Sequence, residues 1–204
     1  MAATVDALSV CPNIVLCAIA LLSSYQLFKD HRAPSLAFFL LGLSAVQCTL
    51  SPFCPGLAYL QNELEWASEI MVSSLVAFDL LWLSEDHNTA HILLCGSFLF
   101  LGLSDCLSAD TLVLMTHCLG LSSLSCSLTV CLFSNNGLGA VGSLALSLPS
   151  LVGIRVGVEV LSPLLSPVAS EGLIKWILKG SLSLGCWAAT WGLNHFLLEV
   201  RTWD

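Results

Sequence analysis

Apolar runs long enough to cross a bilayer recur along nearly the whole chain, and they leave little room for any other kind of fold. A hydrocarbon core about 30 Å thick takes roughly 17–25 residues of helix, and only helices or closed barrels satisfy their backbone groups inside it. The sequence predicts an all-α, polytopic helical transmembrane bundle of about seven spans, at 7–28, 35–50, 67–83, 92–107, 111–133, 138–154 and 180–198, with six spans as the alternative. Residues 1–204 read as one helical domain, without an internal repeat or a soluble module. The first run is long for the apolar core of a signal peptide and lacks a basic lead, so it reads as a retained span.

Charge supports this reading. Only 10% of the residues are charged and 56% are hydrophobic, whereas soluble domains carry about 25% charged residues. Fourteen acids against six bases give a net charge of -8. That excludes the basic footprint of a nucleic-acid binder and a polybasic lipid-binding surface. The bases divide evenly between the two sides of a seven-span chain, so the positive-inside rule does not set its orientation. The short first loop, which carries Lys29 and Arg32, points to an extracytoplasmic N-terminus.

Breaks and small residues organise the runs. Pro34 opens the second span, where a missing N–H has no helical partner to lose. Pro52, Pro55 and Gly56 form one break, and Ser134–Gly137 forms a loop. Pro163 and Pro167 interrupt 155–179, whose part 156–169 reads as a re-entrant or interfacial segment; both Pro-rich breaks are expected at membrane borders. The acidic edge Gln61–Glu69, with Trp66, reads as an interfacial segment ahead of a short third span. Lys175 and Lys179 share a face and are expected to snorkel to headgroups. Small-residue rows at Ser73/Ala77, Gly139/Ser143/Ser147 and Ser181/Gly185/Ala189 suit close helix packing, and Pro149 is expected to kink the sixth span.

Of ten cysteines, seven lie in apolar runs (Cys17, Cys48, Cys95, Cys118, Cys126, Cys131 and Cys186), and no Cys-x-x-Cys pair occurs. They read as buried small hydrophobes. Cys11, Cys54 and Cys106 lie nearer the borders, where palmitoylation or a disulfide is conceivable.

The densest polar chemistry lies between Asp79 and His91. A carboxylate in hydrocarbon costs roughly 2.5–3.5 kcal/mol by insertion scales, so Asp79 needs a partner, a proton or water. Helical spacing places Val72, Leu75, Val76, Asp79, Trp82 and Asp86 on one face. Asp79 and His117 are the candidate catalytic or proton-carrying residues, against the plainer reading that each bonds a neighbouring helix. His87 and His91, at i, i+4 spacing, have the geometry of two zinc ligands. Asp105 is a further candidate ligand, and Asp79, Asp86 or His117 could complete the set. The His-x-x-x-His spacing also resembles that of intramembrane metal-dependent lipid amidases.

Ala77, Phe78, Asp79, Trp82, Asp86, Ala90, Leu93 and Leu94 together resemble a segment of a small vertebrate multi-pass family, that of transmembrane protein 276. The likeness covers about twenty residues, with a fainter one in the following spans. It implies a compact helical membrane protein of similar length and brings no activity with it. The expected function is a non-enzymatic bundle, without a cofactor, whose partners are the lipid bilayer and other membrane proteins. Short third and fourth spans point to the endoplasmic reticulum or another internal membrane, where bilayers are thinner. The alternative is an intramembrane lipid hydrolase, with zinc held by His87 and His91 and chemistry shared among Asp79, Asp105 and His117.

Overall fold

The computed structural model describes residues 2–50, 58–152 and 167–203, and no strand occurs among them. The helices are α1 (Ala2–Leu27), α2 (Arg32–Leu50), α3 (Ala58–Leu83), α4 (His87–Leu103), α5 (Ala109–Phe133), α6 (Gly137–Val152) and α7 (Pro167–Trp203), with a 3-10 turn at Ser104–Cys106. The first five contain segments long and apolar enough to cross a membrane. α6 is apolar but shorter, and α7 runs for 37 residues.

The turns explain where the helices stop. His31 joins α1 to α2: its N–H donates to the Leu27 carbonyl at 2.8 Å, and its own carbonyl accepts from the Ser35 N–H at 3.1 Å. Two later turns are built alike. Glu85 (φ 65°) follows α3 and Asn135 (φ 51°) follows α5. In each the next residue's N–H reaches back five positions, from Asp86 to the Leu81 carbonyl and from Asn136 to the Cys131 carbonyl. This is the left-handed helix ending that satisfies the last free carbonyls. The same two residues then cap the following helices, Asp86 accepting from the Thr89 N–H and Asn136 from the Gly139 N–H.

α3, α4 and α7 each start earlier than hydropathy predicts. α3 begins at Ala58, so 61–69 continues the helix and is not a separate interfacial segment. Its acids are tolerated because Lys179 meets them inside the bundle. α4 begins at His87, because Asp86 caps it there. α7 begins at Pro167, so 167–179 and the last span form one helix. The break at Pro52 and Pro55, and the segment 153–166 with Pro163, lie outside the described residues.

α3 is the central helix and touches every helix described from α2 to α7. Every residue from Ile70 to Ala77 is buried. α6 and α7 share the most extensive contact, with Gly139, Gly142 and Leu146 of α6 against Gly192, Ala189 and Gly185 of α7, while Ser143 and Ser147 are buried towards α3 and α5. A Cβ on Gly192 would stand 2.6 Å from the Gly139 Cα, so backbone meets backbone there. Large side chains such as Ile92, Leu99, Leu114 and Leu132 face outward. Cys48, Cys131 and Cys186 are buried as expected, but Cys95 and Cys118 are exposed on the apolar exterior.

Candidate functional site

The polar groups that lipid would penalise most lie at the two ends of α3. Near its C-terminal end Asp79 is 9% exposed, and near the opposite end Glu65 and Glu69 share a face one turn apart.

Asp79 is paired with His31. The imidazole Nδ1 lies 2.5 Å from Asp79 Oδ2, and His31 is 1% exposed. The α1–α2 turn fixes the ring from its own side. One turn back on α1, Ser24 donates to the Ser35 carbonyl and Ser35 donates to the Ser24 carbonyl, both at 2.8 Å. The pair therefore ties a rigid helical hairpin to the central helix. Nδ1 serves the carboxylate, while Nε2 is buried without a hydrogen-bond partner.

The shared face expected for Asp79 needs correcting. Val72, Leu75 and Val76 are buried with it, but Trp82 is 45% exposed and Asp86 stands outside the helix. Trp82 lies in the last turn of α3, where α4 approaches, and its ring sits 4.2 Å from that of His87. Leu80 and Leu81 are buried in its stead.

At the other end, Lys179 of α7 reaches inward to Glu65 and, at 3.5 Å, to Glu69. It is 8% exposed. The headgroup contact expected for Lys179 is thus replaced by an interhelical one, because two acids one turn apart present a complementary site. The Cys48 thiol of α2 adds a contact to Glu65 at 3.7 Å. Lys175, one turn earlier on α7, is exposed.

The remaining candidates are dispersed. His117 donates from Nδ1 to the Ser150 carbonyl at 2.7 Å, joining α5 to α6. His87 and His91 share a face of α4, but His91 Nδ1 bonds the His87 carbonyl at 2.6 Å and both rings pack beside Trp82. Asp105 lies in the 3-10 turn beyond the opposite end of α4 and is exposed. No group of three His, Cys, Asp or Glu side chains among the described residues is placed to hold a metal ion. Asp86, between helices, accepts hydrogen bonds from Thr89, chiefly from its side chain and then its backbone, and these hold its carboxyl below the usual range.

Besides Glu65 and Glu69, three participants lie outside the candidate set drawn from sequence: His31, Lys179 and Asn136, whose side-chain amide donates to the Gly192 carbonyl at 2.7 Å. The i, i+4 acids of α3 and i, i+4 lysines of α7 were a usable signal for one of them. His31 and Asn136 carried none beyond their places in turns. No protein-family model, curated protein or solved structure matches the chain.

Proposed function

We propose that the chain is a seven-span integral membrane protein without enzymatic activity, a bundle acting through lipid or protein partners and of the kind represented by the transmembrane protein 276 family. One observation carries this reading: Asp79, Glu65, Glu69, Lys179 and His117 are each engaged across helices. Asp79 holds His31, Glu65 and Glu69 hold Lys179, and His117 holds a backbone carbonyl. Buried charges that are paired in this way hold helices in register, and engaging them in chemistry would unfasten the helices they join.

An internal membrane such as the endoplasmic reticulum suits α4, whose 17 residues at about 1.5 Å each give roughly 26 Å. The length of α3 withdraws the support expected from a short third span. Two measurements test the proposal. Alkaline carbonate should leave the protein in membranes, and purified, chelator-washed protein should carry no stoichiometric zinc. Bound zinc that His87→Ala or His91→Ala removes would overturn the non-enzymatic reading in favour of the hydrolase.

A further inference from the structure

α4 packs on α3 and scarcely touches α5. Between them, at the end of the bundle that carries the two left-handed turns, lies an open groove of ≈ 520 Å³. That volume falls within the roughly 300–1,000 Å³ of small-molecule sites. The groove follows α5 from Ser134 back to Ser125, roughly 13 Å at about 1.5 Å per residue. Leu81, Val130, Phe133 and Phe196 supply its apolar wall.

Its polar lining has a particular character. Ser84 donates to the Leu81 carbonyl, Ser125 to Leu121, Thr129 to Ser125 and Ser134 to Val130. Each hydroxyl has thus given its hydrogen to its own helix and offers the groove only a lone pair. Thr89 is engaged with Asp86. The Asp86 carboxylate adds an acceptor and a negative charge, and no Lys or Arg lies among the described lining residues. Apart from the weak Cys126 thiol, the groove accepts hydrogen bonds and offers none.

An occupant must therefore bring donors. Phosphate and carboxylate headgroups are acceptors and anions, and they find neither a donor nor a cation here. A zwitterionic phospholipid brings an ammonium, but its phosphate comes with it. A primary ammonium without phosphate carries three N–H donors and a positive charge, matching Asp86 and the nearby Ser84 and Ser134 oxygens. We infer that the groove between α4 and α5 binds a single-chain primary-amine amphiphile, its ammonium at Asp86 and its alkyl chain along α5 against Val130, Phe133 and Phe196. This rests on the membrane reading above, since the chain must enter from the bilayer.

The test uses the full-length protein in phosphatidylcholine nanodiscs, with a photoactivatable dodecylamine as probe. Labelling should map to the 125–134 stretch of α5 and around Phe196, and should saturate. Unlabelled dodecylamine should displace it, dodecanol should do so about tenfold less well, and dodecyl phosphate should not. Asp86→Asn should weaken binding about tenfold, as expected for loss of a charge-assisted hydrogen bond at a solvated site. It keeps the helix cap, because Asn caps as well as Asp. Thr129→Trp should block the groove, whereas Leu132→Trp, on the lipid face of the same helix, should not. Labelling spread over all lipid-facing helices, equal competition by dodecyl phosphate, or indifference to both Asp86→Asn and Thr129→Trp would each overturn the assignment. Carbonate extraction separates the two readings: a protein stripped from membranes sinks the membrane reading itself, while a membrane-retained protein that ignores dodecylamine sinks only the groove.

Discussion

Gly142 of α6 and Gly96 of α4 occupy apolar helices of similar length, yet a methyl group would meet opposite surroundings at the two. At Gly142 it would stand 2.6 Å from the Ala189 nitrogen, and at Gly96 nothing lies within 4 Å. The turns that introduce the two helices are alike, so the difference comes from the helix faces. α6 presents Gly139, Gly142 and Leu146 to α7, and α7 answers with Gly192, Ala189 and Gly185. Apolar area gives no drive for association between helices in lipid, so helices close where small residues let backbones meet. α4 is held instead by its cap, by aromatic contacts from Trp66 and Trp82, and by packing chiefly on α3. A tight pair, α6 and α7, thus stands beside a looser edge at α4.

The largest break in this contrast should come from Lys179→Met. Removing the ammonium leaves Glu65 and Glu69 facing each other between α3 and α7, at a cost of about 3–5 kcal/mol for an uncompensated buried charge. Urea or SDS unfolding of detergent-purified protein would measure it. Asp105→Asn, at the exposed end of the loose edge, should leave the same transition in place.

Much of the architecture was legible before the structure. The apolar runs announce helices because nothing else satisfies a backbone in hydrocarbon, and the row Gly139/Ser143/Ser147 announces a contact because small residues permit one. The partners were less legible. Asp79 called for a histidine, hydroxyl or amide, but nothing local singled out His31. These helices are apolar nearly all round, so periodicity leaves their rotation and stagger loosely set. Glu65 and Glu69 read as interfacial for the same reason: acids usually mark a helix end, and only the position of α7 shows that they face inward. The groove beside α5 was illegible, since it arises from a separation between two helices.

The second test compares glycines directly. Gly142→Val should cost about 1–3 kcal/mol or more, because the Ala189 backbone cannot give way; Gly96→Val should change stability by a few tenths at most. Equal effects would show that the two edges are packed alike. Asp79→Leu, third in size, should cost about 1–3 kcal/mol by leaving His31 unpaired, whereas Asp79→Asn should keep most of the folded protein. If Asn were as damaging as Leu, charge rather than hydrogen bonding would hold the hairpin to α3. The smallest contrast sets Ser143→Leu, at a side chain 5% exposed, against Leu144→Phe, at one 47% exposed. The first should lower the unfolding free energy by about 1 kcal/mol and the second should hardly move it.

The two polar ties of α3 also differ in when they can form. The ribosome makes α1, the His31 turn and α2 before α3, so Asp79 enters the membrane with its partner already waiting. Glu65 and Glu69 emerge in the same helix, but Lys179 belongs to α7, which is made only after α4, α5 and α6. The nascent bundle must therefore carry two inward carboxyl groups without their lysine until α7 has been made. Chains released after residue 152 should be recognised as unassembled and degraded faster than the full chain, and Glu65→Gln with Glu69→Gln together should lengthen the lifetime of those truncated chains in a pulse-chase measurement. On this account the arrival of α7 is the event that commits α3 to its place.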